Sequence, residues 1–585
     1  MSALRFLFAI PKRPSNSALP CQQIADPSDW RPDCISLWCS DPSQLVWMGS
    51  DCGLVVGTLF SRDTYARVRD INAEEFSNIV TSGGARLIEK YWGGFVAIIK
   101  GNPNSKVLIL RDPSGFLPCY QQESANHFFW ASDLAAFSSA GIRTDEIDWN
   151  CLFEHLQSPD TRRAATCING LSELPPGTVS VIDGEHLTER RLWRPWSFTD
   201  PSQALSPQAS IHELRESICR SVSALAGAFR HVVVGVSGGL DSSIVCAALG
   251  RGGHRFSCLT LATDDPSGDE RKYAASVATA TGASLSARIY ELAAIDVRRS
   301  SSAHLPRPNG KPFMQELERA YRFEIEAYNA DAIFTGNGGD NVFCYLHSAT
   351  PIVDRLHFER RIAKAWRTLL DMCAITQCDV PTMARATLSL LRHPEGALNT
   401  PSDQSFLNHD RGACSESHLL NDYFTEAPTR YPGKIAHVQL LTRIQNFVEG
   451  YDRSVYPSVI APLLAQPVVE TCLRIPTWVW CDGGINRSAA RRAFSGFLPR
   501  QVTRRTAKSG PDSFTAAVFE RNKSTVRELL LGGLLRHHNI IDPLSVELAL
   551  SDSNTGRGQL LYRLLDIVDA EAWARERSSA ELPAH

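Results

Sequence analysis

The chain has 585 residues, too many for one ordinary hydrophobic core, so two or more domains are expected. Its composition is 43% hydrophobic and 21% charged with a net charge of −3, which suits a globular protein and gives no electrostatic case for nucleic acid or an anionic membrane. The longest apolar runs, such as 6–10 and 232–236, fall far short of a membrane span.

The first residues, MSALRFLFAIPKRP, hold a brief apolar run ended by Pro11, with neither a basic leading region nor a small-residue cleavage site, so no secretory signal is expected. The 16 cysteines are spread from Cys21 to Cys481, and the closest pairs, Cys34/Cys39 and Cys373/Cys378, lack the matching second pair a zinc site needs. They read as reduced core thiols of a cytoplasmic protein. Up to about residue 194 the pattern is mostly β. Segments 87–100 (LIEKYWGGFVAIIK), 106–111 (KVLILR) and 127–132 (HFFWAS) are strand-like runs split by Asn-Pro and Pro-Ser-Gly turns. A seam rich in Pro and Ser lies at 194–208 (RPWSFTDPSQALSPQ).

Beyond the seam, strands alternate with helices. Segment 232–236 (VVVGV) is a continuous apolar run fit for a strand buried on both faces. Segment 256–262 is a second strand, followed by a helical stretch from Asp269 that stops at Gly282, and 331–335 (DAIFT) is a third strand. Strand, loop and helix repeated predict a parallel α/β sheet. From about 346 to 573 the pattern is mainly helical, with 440–447 and 524–535 carrying apolar residues at helical spacing. The basic stretch 355–370 (RLHFERRIAKAWRTLL) reads as a solvated helix face or a surface for an acidic partner.

Val236 is followed by Ser237, Gly238, Gly239, Leu240, Asp241, Ser242 and Ser243. The two glycines let the backbone turn sharply and bring N–H groups against an anion. The serines add donors, and the following helix points its positive end at the same place. Asp241 within such a loop would repel phosphate unless a divalent cation lies between them. No Lys follows the glycines, so this is not a Walker loop. The next strand end carries Thr335, Gly336, Asn337, Gly338, Gly339 and Asp340, where α/β sheets bind ligands, with Asp340 as a second carboxylate for magnesium. Further on, 486–494 (NRSAARRAF) leads to Arg504, Arg505 and Lys508 ahead of Gly510. That cluster suits charge neutralisation on departing phosphates, or else a solvated basic face.

The loop SGGLDSS resembles the pyrophosphate loop SGGxDS of the ATP pyrophosphatase superfamily, which splits ATP between its α and β phosphates and makes acyl-adenylates. With 87–95 (LIEKYWGGF), 110–117 (LRDPSGFL) and 174–177 (LPPG) in order, nearly the whole chain resembles the asparagine synthetase family. The resemblance implies an α/β fold in two parts. Residues 1–195 would be a degenerate class II glutamine amidotransferase-like domain, an Ntn-hydrolase-like α+β sandwich. Residues 209–585 would be an asparagine synthetase-like domain, with the parallel sheet of the ATP pyrophosphatases (adenine nucleotide α-hydrolase-like) and added helices. It also implies ATP and Mg2+ as cofactors and nucleotide contacts from Val236, Ser237, Gly238, Gly239, Asp241, Ser242, Ser243, Thr335 and Gly336. Metal ligation falls to Asp241 and Asp340, and a catalytic role to Lys508.

Three departures refine the expectation. Position 2 is Ser2, where the family's glutaminase uses a cysteine, so the amine is expected from elsewhere. Asn337 stands where asparagine synthetases carry Glu and β-lactam synthetases Tyr, and Asn is no base at neutral pH. In 443–457 (RIQNFVEGYDRSVYP), Glu449 is either a substrate-facing acid or a helix-surface carboxylate. The wording of 462–480 with TGNGGDNVF most resembles the lasso-peptide cyclases, macrolactam synthetases that adenylate an Asp or Glu side chain and join it to the peptide's N-terminal amine. That likeness implies a precursor peptide as substrate and a leader peptidase and a leader-binding protein as partners. The alternatives are an asparagine synthetase or β-lactam synthetase-like enzyme, or a non-catalytic ATP-binding scaffold.

Overall fold

Alternating apolar stretches in the first part of the chain pair into two largely antiparallel sheets stacked face to face. The computed structural model describes residues 2–13, 35–49, 53–101, 106–263, 269–398, 402–411, 424, 427, 430–505, 512–551 and 558–578. The smaller sheet runs Leu171–Glu173, Tyr120–Glu123, His127–Ala131, Phe6–Pro11, Ser36–Cys39. The larger runs His186–Arg191, Thr178–Asp183, Val107–Arg111, Tyr91–Lys100, Gly53–Ser61, Leu45–Met48, Asp70–Ile71. Period-two alternation sends Phe6 and Phe8 of one sheet against Leu54, Val56, Val96 and Ile98 of the other. The intervening Val55, Leu59 and Ala97 face outward, onto Phe76 and Ile79 of the helix Ala73–Thr81.

The stretch 87–100 is not one strand. Ala85–Lys90 is a helix, and only Tyr91–Lys100 is extended. Leu87 and Ile88 are buried together while Glu89 and Lys90 are exposed, a pairing that breaks the period of two of a strand and fits one turn of a helix.

The seam leads to the helix Pro207–Ala226, started by Ser206, whose hydroxyl accepts from Ala209 N. A five-stranded parallel sheet follows, ordered Ser284–Ile289, Phe256–Ala262, Val232–Gly235, Ala332–Phe334, Ser458–Ile460. Val232 and Val234 pack into the core that holds Ile244 and Leu249 of the helix Leu240–Arg251, whereas Val233 meets Tyr321 of the helix Met314–Tyr328. Helices thus cover both faces, the reason the central strand is apolar throughout. After Ser284–Ile289 the chain returns to the opposite side of Val232–Gly235, so the strand order reverses between Val232–Gly235 and Ala332–Phe334. Crevices at such a reversal, outside the C-terminal strand ends, are where α/β sheets hold ligands.

The expected helix beyond Asp269 is Arg271–Thr281, ended by Gly282 in the left-handed region at φ 70°. The basic stretch 355–370 is broken: Thr350–Glu359 stops at Arg360, φ 53°, and a new helix runs Ile362–Thr376. Three of its charges are paired, Arg355 and Lys364 with Glu359 and Arg367 with Asp482. Likewise 524–535 is split at Gly532 and Gly533 between Asp512–Leu531 and Leu534–His537, where the Glu571 carboxylate accepts from Leu534 N at 2.9 Å and Leu535 N at 2.8 Å. Among the described residues no helix is long and apolar enough to cross a membrane.

The two parts are joined by shared core and buried charge. Leu7, Phe129 and Leu152 pack in one cluster with Val518, Leu564 and Trp573. Glu173, fully buried, accepts from Arg111 at 2.7 Å, from Arg162 at 2.8 Å on both oxygens, and from Arg307 of the second part at 3.1 Å. Burial alone would raise the pKa of Glu173, but Arg162, Arg307 and Arg111 outweigh it and hold the carboxyl well below its usual range.

Removing one member of a buried ion cluster leaves charge uncompensated, which typically costs about 3–5 kcal/mol. Glu173→Gln is therefore expected to lower the midpoint of chemical denaturation strongly. Because the native pKa is depressed, the contribution of Glu173 is complete above the unfolded value of about 4.3 and is lost only as pH falls well below it. Denaturation curves from pH 7 down to pH 3 should keep the wild type ahead of the variant, and coincident curves at pH 7 would refute the clamp.

Candidate functional site

The crevice at the strand-order reversal opens into a cavity of about 880 Å3. Its floor is the turn from Val236 into the helix Leu240–Arg251. Val236 N donates to Leu259 O at 2.8 Å, which fixes the strand end. Gly238 takes φ 63°, a region that disfavours any side chain, and its turn lets Gly239 cap the helix. The helix N-terminus, a centre of positive partial charge, thus faces the cavity with Ser237 and Ser242 beside it. Ser242 Oγ is buried and has no hydrogen-bond partner among the described residues. A buried hydroxyl without a partner next to a helix N-terminus fits an anionic ligand that supplies the acceptor. Ser243 is different. Its hydroxyl donates to Gly239 O at 2.6 Å inside the turn, so it braces the loop and does not face the cavity.

The second loop runs from Thr335 through Asp340. Thr335 N donates to Ile460 O at 3.0 Å, and Thr335 Oγ1 accepts from Asn337 N at 3.3 Å. A side chain at Gly336 would stand 2.7 Å from Ser242 Cα, and one at Gly339 would stand 2.6 Å from Asp241 Oδ1. The glycines therefore let the two loops touch, and that contact brings Asp241 and Asp340 to the same corner of the cavity. Arg487 joins them: its Nη1 donates to Asp241 Oδ1 at 3.1 Å and Oδ2 at 2.9 Å, and also to Asp340 Oδ1. A positive nitrogen shared by two carboxylates is a stand-in for a cation, so the pair fits magnesium that takes its remaining ligands from phosphate and water. Among the described residues no group of three or more His, Cys, Asp and Glu side chains forms a metal site.

Asn337 is exposed, and its Nδ2 donates to Phe447 O at 2.8 Å, which ties the loop to the segment before Glu449. Glu449 is neither a helix-surface carboxylate nor open to substrate on all sides. It is 7% exposed and accepts from Arg162 and from Tyr120 Oη, so it borders the cavity while anchored to the N-terminal part. Lys508 lies outside the described residues. Of the basic cluster, Arg491 is buried and donates to Asn486 O at 2.8 Å and Thr503 O at 2.9 Å, a structural brace. Burial, with Arg487 beside it, brings Arg491 down to about 10. Arg505 lines the cavity, donating to Glu270 at 2.5 Å and to Gly238 O at 3.4 Å. Arg505 belongs to the basic cluster read from the sequence, whereas Arg487 is the residue that reading did not single out. Its signal was the arginine-rich run itself, which does not say which arginine turns inward.

A model of the asparagine synthase family matches residues 213–575, and one of the glutamine amidotransferase domain matches 69–193. The chain belongs to the asparagine synthase family. Its parallel-sheet part is the asparagine synthase domain, and the two-sheet part is the glutamine amidotransferase-like domain, an Ntn-type sandwich. A search of curated proteins gave no match. Among solved structures, the allosteric regulatory enzyme of purine biosynthesis is similar over 49% of this chain and 74% of that one, at 9% identity and a TM-score of 0.20. Glutamine phosphoribosylpyrophosphate amidotransferase from B. subtilis, complexed with ADP and GMP, is similar over 40% and 61%, at 10% identity and a TM-score of 0.17. Both scores are too low to bear on function. Membership of the asparagine synthase family makes the protein an ATP-dependent amide-forming ligase.

The loop contact has a direct consequence. Gly339→Ala places a methyl group against Asp241, and overpacking of this kind costs about 1–3 kcal/mol. The two loops must then move apart, and because a nucleotide held by both would have to restore their contact, a loss of about tenfold in affinity for a fluorescent ATP analogue with magnesium is expected, the equivalent of ~1.4 kcal/mol. Unchanged affinity would mean that the two loops do not bind nucleotide together.

Proposed function

We propose that this asparagine synthase family member is a peptide macrolactam synthetase of the lasso-peptide type. It adenylates an Asp or Glu side chain of a precursor peptide and joins it to the peptide's N-terminal amine. The observation that carries the reading is the room beside the phosphate loop. The 880 Å3 cavity ends at Leu305, Glu449, Gly450 and Tyr451, and the same four residues line a second cavity of about 620 Å3 between the two domains. That extent suits a nucleotide plus a peptide better than a nucleotide plus a free amino acid. His304, whose Nε2 donates to Gly450 O at 3.0 Å, ties together the two segments that divide the cavities.

The chemistry follows from the site. Ser237, Ser242 and the N-terminal amides of the helix Leu240–Arg251 receive the β and γ phosphates of ATP. Asp241 and Asp340 would hold magnesium, which adds positive charge to the departing pyrophosphate. The substrate carboxylate attacks the α-phosphorus and pyrophosphate leaves, giving an acyl-adenylate. Arg505 and Lys508 complement charge on the leaving group. The peptide amine then attacks the acyl carbon, loses a proton and displaces AMP. Such an amine has a pKa of about 7.7–8.0, so a useful fraction is neutral without a base at Asn337. Holding it near the adenylate contributes the rest, up to about 7–11 kcal/mol for a well-oriented intramolecular attack.

Among its described residues, the amidotransferase-like domain offers little glutaminase chemistry in support of a glutamine-dependent alternative. Burial pushes Cys39 up to about 11 and Cys151 and Cys167 to about 12, so these described thiols are poor nucleophiles. With ATP, magnesium and a synthetic core peptide, the enzyme is expected to release AMP and yield a product lighter by one water. Asp241→Ala should abolish both, and Asn337→Ala should retain most of the cyclisation. Aspartate-stimulated AMP release that needs no peptide would instead make the protein an asparagine or β-lactam type synthetase. Binding of ATP without AMP release on any of these substrates would leave the scaffold reading.

A further inference from the structure

Arg487 is the side chain in the nucleotide cavity whose position the adenylation chemistry does not explain. It reaches the carboxylates from a segment distant in sequence, on the residue that caps the helix Ser488–Phe494. Its backbone lies at φ 53° and ψ 34°, the left-handed region that a side chain disfavours. Neighbours hold it there. Its Nε donates to Asn486 Oδ1 at 3.3 Å, the same oxygen that accepts from the buried Arg491 at 2.8 Å. Its guanidinium lies 5.2 Å from the centre of the Tyr345 ring, and Tyr345 Oη accepts from Asn486 Nδ2 at 3.4 Å. A strained backbone held by several contacts marks a conformation that the surrounding fold specifies.

The aim of this construction is the space between Asp241 and Asp340. The Arg487 side chain is 12% exposed and Asp241 13%, while Asp340 is 47% exposed on the cavity side. One nitrogen therefore occupies the position from which a divalent cation would contact both carboxylates. Its positive charge between two carboxylates on adjoining loops offsets their mutual repulsion and opposes a second cation at the same point.

We infer that Arg487 is a built-in placeholder for the cation. It neutralises Asp241 and Asp340 while the site is empty, keeps them from taking a divalent ion alone, and gives up the position when the ion arrives already bound to ATP. Its guanidinium is then free to turn onto the phosphates, the fork geometry that suits arginine for such oxygens. Metal and nucleotide so enter as one unit, and the carboxylate pair keeps its geometry between turnovers. This inference rests on the adenylation reading of the same site.

The test reads metal binding without turnover. Mn2+ is titrated into the full chain with no nucleotide, and free Mn2+ is followed by electron paramagnetic resonance. The wild type is expected to bind weakly, and Arg487→Met about tenfold more tightly or better, because one unit of interacting charge has been removed between two carboxylates. Arg487→Lys, which keeps the charge, should stay near the wild type, and Asp340→Asn in the Arg487→Met background should cancel the gain. Circular dichroism and thermal melting establish that the variants are folded. Equal Mn2+ affinity in wild type and Arg487→Met overturns the placeholder role. Should Asp241→Asn at the same time abolish binding of Mn2+ with ATP, the adenylation reading survives that result. Should Asp241→Asn leave Mn2+–ATP binding intact, the reading of the site falls, and the inference with it.

Discussion

Everything at the crevice of the parallel sheet depends on one steric fact, that two βα loops from neighbouring strands touch with no room for a side chain at either glycine. Gly336 packs on Ser242 and Gly339 on Asp241 with no space for a methyl group. The strands Val232–Gly235 and Ala332–Phe334 are paired in parallel, Val234 opposite Phe334, so their following loops emerge at the same level of the sheet. Parallel pairing supplies the proximity, and the glycines supply the final approach. The cost of that approach is electrostatic, because each loop carries a carboxylate. Arg487 meets the cost in the protein alone, and a divalent cation would meet it with nucleotide present.

A second constraint lies about the buried Glu173. Three arginines converge on it from the end of a strand, from the loop after the helix Trp149–Gln157, and from the synthase domain. Arg162 then reaches on to Glu449, which borders the cavity. The charges at the domain boundary are thus continuous with the wall of the cavity. A carboxylate in that wall is held by an arginine of the other domain and is not free to act as a roaming base. Glu449, read from the sequence as a substrate-facing acid or a helix-surface carboxylate, is part of the frame that borders the cavity.

What could be read in the sequence follows from how local each feature is. The central strand was legible because VVVG is apolar on both faces, and the phosphate loop because Gly-Gly beside Asp and Ser has few other uses. The edge strands were not. Ser284–Ile289 carries Ser and Arg and stays largely exposed, and Ser458–Ile460 is three residues between prolines. The stretches 355–370 and 524–535 keep helical spacing across their breaks, so periodicity could not see Arg360 or the Gly532–Gly533 corner turn the chain. Asp241 and Asp340 announce themselves as carboxylates in glycine loops. Arg487 does not, because its reach depends on a left-handed turn and on contacts with Asn486 and Tyr345 that sequence order leaves hidden. The Arg162–Glu449 pair spans 287 residues, beyond any local pattern.

The amidotransferase-like domain has a structural part in the enzyme whatever supplies the amine. Ala3 N donates to Arg453 O and Tyr456 O, and Arg453 donates back to Leu4 O at 2.7 Å. On another side Gln466 N donates to Ser114 Oγ at 3.0 Å and its amide to Ile88 O at 3.0 Å, while Trp193 Nε1 donates to Glu470 at 2.9 Å. Those contacts brace the segments on either side of the strand Ser458–Ile460, which forms the sheet edge next to the Asn337 loop. Stripping the first domain away would expose the apolar face that Leu7, Phe129 and Leu152 now cover and leave Arg307 and Glu449 without their partners. Removing buried partners on that scale is unfavourable by several kcal/mol at each charged site. The synthase domain thus completes its core and one wall of the cavity with the amidotransferase-like domain.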